Sequence, residues 1–302
     1  MRLSHLAFAC LLAGSGVASA QERSNRLNLP TYAPPPIATL QATPIRTYQA
    51  PEARQGVAVD AEHFYAVVNT VIARYDRETG AREAHWAGPR GGLIRHLNSC
   101  FADAGSLWCA NSNFPLTPMA SSIEVFDAHA MTHTRSHSLG LTDEGSLTFF
   151  DRYGDGWLAG FAHYDGEGGH AFKNAAFAGI VFFDSEWRRT GGYALPASVL
   201  ARMAPHAASG GALGPDGLLY LLGHDLPEMY VLARPSMGPT LVHVATIAIP
   251  VAGQAFSWDR STDRRVVFAI DRPSGTVRSF DMPAVPLTTP DARPFTPEAA
   301  RR

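Results

Sequence analysis

The side chains best suited to chemistry are histidines that stand among carboxamides, carboxylates and an arginine. His96 is followed closely by Asn98, His163 by Tyr164 and Asp165, and His224 by Asp225. Imidazole titrates near neutrality, so His96, His163 and His224 could act as acid and base or jointly hold a transition metal. Asn98, Asn111 and Asp225 offer oxygen donors of the kind Ca2+ prefers. Tyr164 could serve as a base beside a histidine, and Arg272 could neutralise a substrate carboxylate. Gln55, Asn113, His170, Lys173, His206 and Gln254 are the polar groups expected to touch the rest of a ligand. These residues run from position 55 to position 272, so only a fold that gathers distant strand ends can combine them.

The chain carries a repeat that would do so. Five times a small or polar residue precedes an aspartate by five positions across a short strand pattern: Gln55–Asp60, Asn98–Asp103, Ser146–Asp151, Gly211–Asp216 and Gln254–Asp259. Turn residues and a second apolar strand follow each copy. A second mark, an aromatic residue followed by aspartate, ends the third strand of four repeats: Tyr75-Asp76, Phe126-Asp127, Phe183-Asp184 and Phe280-Asp281. Repeats that cannot bury their own faces must stack. Four short strands per repeat around one axis make a β-propeller. The expected fold is therefore all-β, a single propeller of five four-stranded blades, with six blades as the alternative. The fifth repeat shows only three strands, so Pro44–Gln49 should supply its outer strand and close the ring.

This register gives each side chain an address. First strands run down the channel from an upper rim and second strands return to it. The three long insertions, Ser112–Ser121, His163–Ala178 and Pro196–Ser209, all fall on that rim. Surplus loop gathered on one face of a rigid scaffold is the usual layout of a binding site. His96, Asn98, His163 and His224 should form one cluster there, near Asn111 and Asp225. Gln55, Ser146 and Gln254 also suit an ordinary channel lining of small polar groups. His129, His133 and His137 have a helical metal-ligand spacing but lie around an outer hairpin. His63 and His243 read as solvated. Gly166-Glu-Gly-Gly169 lacks the lysine and serine of a phosphate loop and reads as a flexible lid segment. No Gly-x-Ser-x-Gly motif occurs, which disfavours that class of serine hydrolase.

Composition narrows the remaining choices. Residues 1–20 have a polar start, an apolar run from Leu6 to Ala18 and a final Ala18-Ser19-Ala20, the pattern of a cleaved signal peptide. A periplasmic or secreted location follows. Residues 21–42 read as a Pro-rich linker, 43–283 as the propeller domain and 284–302 as a Pro-rich mobile tail. Only Arg2 among the 25 basic residues lies in the leader, leaving 24 against 27 acidic residues in the mature chain. Neither nucleic acid nor a membrane surface is an expected partner, since both call for a basic excess. A small molecule or carbohydrate is, and the protein should be a monomer. Cys100 and Cys109 fall opposite each other on a hairpin that turns at Ala104-Gly105. In an oxidising compartment they are expected to be bridged.

Gln55-Gly-x-Ala-x-Asp60, Tyr75-Asp-x-x-Thr-Gly80 and Gly214-Pro-Asp-Gly217 resemble the lactonase, SMP-30-like and NHL-like propeller superfamily. His96-Leu-Asn-Ser99, Gly145-Ser-Leu-Thr148 and Gly223-His-Asp225 are also similar to uncharacterised exported propellers labelled cycloisomerase-like. The resemblance covers about residues 43–281. It implies one divalent metal, Ca2+ or Zn2+, at the channel mouth, with Asn98, Asn111 and Asp225 in the places of two asparagines and an aspartate. Gln55 stands where the lactonases have a glutamate. The function expected is that of an exported enzyme acting on a small ester, lactone or sugar acid, as a hydrolase or lyase. The alternative is a non-catalytic module that binds a peptide, glycan or partner protein.

Overall fold

Strands that are apolar on both faces can be buried only between neighbours, and the repeats are stacked in that way. The computed structural model describes residues 31–166 and 170–295. The expected signal peptide, part of the lid segment and residues 296–302 lie outside the described residues. Two short strands, β1 (Ala38–Gln41) and β2 (Thr43–Gln49), come first. Blade one follows as β3 (Gly56–Val59), β4 (His63–Val68), β5 (Val71–Asp76) and β6 (Arg82–Ala87). Blade two holds β7 (His96–Asp103), β8 (Ser106–Ser112), β9 (Ala120–Asp127) and β10 (Thr132–Leu141). Blade three holds β11 (Ser146–Tyr153), β12 (Gly156–Ala162), β13 (Gly179–Phe183) and β14 (Arg189–Ala194). A helix, α1 (Ala197–Met203), leads into blade four: β15 (Gly210–Leu213), β16 (Leu219–Leu222), β17 (Glu228–Pro235) and β18 (Val242–Ala248). Blade five supplies β19 (Phe256–Trp258), β20 (Val266–Asp271) and β21 (Thr276–Asp281), and β22 (Ala292–Arg293) ends the series. Among the described residues, no helix is long and apolar enough to cross a membrane.

The ring has five blades, and the chain closes it as expected. β2 pairs antiparallel with β21 from Thr43 opposite Asp281 to Gln49 opposite Thr276. The core consists of apolar layers between successive blades. Tyr48, Phe64, Tyr75 and Phe268 pack where blade one meets blade five. Further layers join blades one and two, two and three, three and four, and four and five.

Both repeated marks have a structural cause. The aromatic residue enters an inter-blade layer, as where Phe126 meets Trp86 at 4.7 Å. The aspartate after it caps the outer turn: Asp127 accepts from the backbone N–H of His129 and Ala130, a turn that short polar side chains favour. The aspartates ending the first strands tie the lower rim together. Asp259 binds Arg77 at 2.6 Å, Asp216 binds Arg265 at 2.9 Å, and Asp103 binds Arg152 at 2.7 Å. Arg260 reaches from blade five to Asp151 of blade three at 2.6 Å and lies over Phe101 of blade two. It therefore crosses the axis and plugs the lower end of the channel.

The two ends of the chain depart from expectation. β1 lies parallel on β18, with Ala38 opposite Ala245 and Gln41 opposite Ala248. β22 pairs with Arg234 and Pro235. Blade four thus becomes a six-stranded sheet. The expected linker hides one strand and the expected tail another, because an uncovered outer edge on blade four would leave its backbone groups unpaired. Phe295 is buried against Tyr153 and Phe182. The tail is pinned at least that far, not mobile. Cys100 and Cys109 are bridged, Cα atoms 4.1 Å apart, on a hairpin whose two turn residues, Ala104 and Gly105, both take left-handed backbone, φ 47° and 76°. That is the two-residue turn whose twist suits a hairpin.

Candidate functional site

A cavity of about 360 Å³ opens at the upper mouth and takes side chains from every blade. Gln55 and Asn69 come from blade one, and Arg95, His96, Asn98, Phe114 and Pro115 from blade two and its insertion. Blade three gives Tyr164, blade four His224, and blade five Gln254 and Arg272. Two guanidinium groups line the cavity and, among the described residues, no carboxylate does. A pocket of about 20 Å³ lies next to it among Asn98, Ser146, Thr148 and Tyr164, room for roughly one water.

Backbone geometry makes this mouth possible. Strand side chains alternate in direction, so His96 and Asn98 face the cavity while Leu97 between them is buried in the inter-blade core. Gln254 lines the wall with a left-handed φ of 75°, an uncommon state for a residue with a side chain. Gly253 before it has φ +60°, and a Cβ there would meet the His224 carbonyl oxygen at 2.0 Å. Only glycine lets the approach to blade five pass so close to His224.

Beside the cavity, Asp225 clasps two imidazoles. Its Oδ1 faces Nδ1 of His224 at 2.7 Å, and its Oδ2 faces Nδ1 of His206 at 2.6 Å. The two rings stack with centroids 3.9 Å apart, and Tyr164 meets the His206 ring edge-on at 4.8 Å. Arg272 Nη1 lies 3.2 Å from His224 Nε2. A guanidinium can only donate, so His224 accepts there and carries its proton on Nδ1, toward the carboxylate. Burial lowers the His224 pKa against the pull of Asp225, with His206 and Arg272 adding to the lowering. For Asp225, partial burial works upward, but the bonds from His224 and His206 outweigh it and hold the carboxyl below its usual range. His96 has a pKa lowered to about 4, by burial first and by Arg272 second. Burial raises Tyr164. Its phenol therefore keeps its proton at neutral pH, which suits an acid and corrects the expectation of a tyrosine base.

Several expected site residues stand elsewhere. His163 is buried on the far side of its strand end. Ala162 and Tyr164 line the cavity region, while His163 between them turns toward Gly145 and Phe177. It lies outside the expected cluster. Asn111 is buried opposite Leu97 and does not line the cavity; its Oδ1 accepts from the backbone N–H of Arg95 and His96 and its Nδ2 donates to Ser122. Asn113 pins its own insertion, bonding the Pro118 carbonyl and the Ala120 N–H. His170 stacks on Phe172, and Lys173 Nζ donates to the Asp143 carbonyl. Neither lines the cavity. Gln55 does line it, but its Nε2 also donates to Asn69 Oδ1 at 3.1 Å.

The expected metal set fails for the same reason. The Asn111 oxygen already accepts two backbone hydrogen bonds, and Asp225 turns to His206 and His224 and is not among the residues that line the cavity with Asn98. The Asn98, Asn111 and Asp225 combination does not fit a Ca2+ ion. His243, expected to be solvated, is buried with Nδ1 3.1 Å from Ser198 of α1, because the blade-four insertion folds into a helix over that strand. His133 and His137 make separate contacts, with Glu124 and Trp187 respectively.

Two polar wall residues were missed. Asn69 ends the second strand of blade one, a position class that faces the upper rim, so strand register could have found it. Arg95 precedes the first strand of blade two and carries no such signal.

No protein-family model matches the chain, and no curated protein matches it. Among solved structures it is similar to a chain of the crystal structure of the mitotic checkpoint complex, at 10% identity over 84% of this chain and 96% of that one, with a TM-score of 0.45. It is also similar to the WD40 β-propeller domain of Doa1, at 10% identity over 76% and 78%, with a TM-score of 0.42. Likenesses of that size carry no chemistry across. The chain is a five-bladed β-propeller.

Proposed function

We propose that this chain is an exported propeller enzyme whose upper mouth binds a small carboxylate-bearing polar molecule, a sugar acid or its ester or lactone. The observation that carries the reading is the cavity wall itself. Arg95 and Arg272 face a space that no carboxylate of the described residues lines, and Asn69, Asn98, Gln55 and Gln254 surround them with hydroxyl-matching amides. Guanidinium groups recognise planar anions through paired, charge-assisted hydrogen bonds. Resemblance to the lactonase-like propellers supports a small-molecule ligand, and the N-terminal 20 residues support export.

An elimination fits these groups best. Pairing the substrate carboxylate with Arg272 and Arg95 acidifies the proton on the adjacent carbon. His96, neutral and with no side-chain hydrogen bond among the described residues, takes that proton. Arg272 also lowers the His96 pKa, so an anion on Arg272 raises it again and makes the base stronger once substrate is bound. Tyr164, held protonated, gives its proton to the departing oxygen.

The test is calorimetry with uronic and aldonic acids, then ultraviolet detection of the conjugated enoate that elimination produces. Binding should be lost in Arg272→Gln, and turnover but not binding in His96→Asn. Failure of every carboxylate to bind rejects the reading. Binding without turnover favours the alternative of a non-catalytic binding module. One observation speaks for that alternative: Leu93, Leu116, Phe172 and Phe177 are exposed on upper-rim loops, a collar that suits a partner protein.

A further inference from the structure

We infer that His206, His224 and Asp225 form a transition-metal site on the upper rim, bordering the cavity through His224. Their ligand atoms all lie within 4.8 Å of one another. An ion held where Asp225 and Nδ1 of His206 converge would replace the proton on Nδ1 of His224; that proton passes to Nε2, and the Arg272 guanidinium, now 3.2 Å from Nε2, turns from it. Two imidazole nitrogens and one carboxylate oxygen match Zn2+ and its first-row neighbours and mismatch Ca2+, which takes oxygen donors. In a tetrahedral site with bonds of about 2.0–2.2 Å, donors stand roughly 3.3 Å apart. The present contacts of 2.6 and 2.7 Å would have to open by roughly half an ångström. Asp225 has 47% of its side chain exposed and His206 31%, so both have room to do this.

Three protein ligands leave a fourth position for water or substrate, the arrangement of a working metal rather than a structural one. The sequence marks His224 and Asp225 as candidate metal ligands but does not join them with His206 in one set. His206 lies in the insertion before blade four and His224-Asp225 follows the second strand of that blade. Cys-free and helix-free, the set has none of the spacings that mark a metal motif.

The proposal does not depend on the sugar-acid reading, and its test uses the metal alone. The chain from Gln21 onward, made without a histidine tag and stripped with chelator, is titrated with Co2+ by visible absorption and with Zn2+ by calorimetry. One ion per chain is expected, with affinity at least about a hundredfold weaker in His206→Gln and in Asp225→Asn. Glu124→Gln, which disturbs the separate His133 contact, should bind as the parent does. On the parent protein, Co2+ should shift two imidazole resonances paramagnetically, a readout that needs no variant to fold. Absence of stoichiometric binding, binding that survives in both rim variants, or a Co2+ complex with no shifted imidazole would overturn the site and leave a hydrogen-bonded clasp.

Discussion

Acid should destabilise this propeller through His96. The ring is desolvated at the channel mouth, 5.2 Å from Phe114, and it stands near Arg272. Burial first and that charge second lower its pKa from 6.5 to about 4. An unfolded chain returns it to the ordinary value. Between about pH 6.5 and about pH 4, the unfolded state therefore binds a proton that the native state does not. Stability from this residue is complete above the unfolded pKa and is lost as pH falls through the folded one. The gap between the two values corresponds to about 3 kcal/mol, at about 1.4 kcal/mol per pH unit. Roughly 2.5 kcal/mol of this should be gone by about pH 4.5. The assay is urea unfolding of the parent and His96→Asn at about pH 8 and about pH 4.5. The parent should lose roughly 2.5 kcal/mol more than the variant between the two conditions. His163 and His243 are also lowered by burial, but they are present in both proteins and cancel in the difference. Arg272→Gln should shrink the effect by removing its second cause. Equal losses in parent and variant would refute the desolvation argument, and with it the neutral base at the mouth.

The channel plug gives a contrast of two ion pairs. Arg260→Ala strands Asp151, whose side chain is 2% exposed, and should cost about 2–3 kcal/mol once the partly solvated arginine is allowed for. Arg152→Ala removes a pair whose partners are 51% and 36% exposed and should cost below about 1 kcal/mol; equal costs in denaturant unfolding would contradict this burial ranking. Thiol titration of the denatured, unreduced chain from Gln21 should find no free cysteine. Replacing both cysteines with serine should cost about 2–3 kcal/mol for a loop of this length. Gly253→Ala adds a Cβ 2.0 Å from the His224 carbonyl at a left-handed position. It should destabilise by about 2 kcal/mol or more and weaken ligand binding at the mouth, and a silent substitution would show that this approach is not tight.

The sequence by itself determined the ring. Five aspartate-ended first strands and four aromatic-aspartate third strands favoured five blades over the alternative of six. The absence of an outer strand in the fifth repeat pointed to Pro44–Gln49 for closure. The same two-residue periodicity placed His96, Asn98, Gln55 and Gln254 on the channel face, and counting outward from Ala104-Gly105 paired Cys100 with Cys109. Those readings held because strand alternation and tight-turn geometry are local, and they pass unchanged into a repeated fold.

Only the tertiary structure decided what the loops do. His163 sits one residue past β12, where a single step of alternation turns the ring from the channel into the core. Asn111 looks like a ligand until the Arg95 and His96 backbone takes both lone pairs of its oxygen. His206 comes from an insertion with no periodicity to register, so its meeting with His224 across Asp225 could not be read from spacing. β1 and β22 join blade four only because a folded sheet edge exists to receive them. In each case the deciding partner is distant in sequence, and hydrogen-bond saturation of a polar group depends on that partner rather than on the residue's neighbours along the chain.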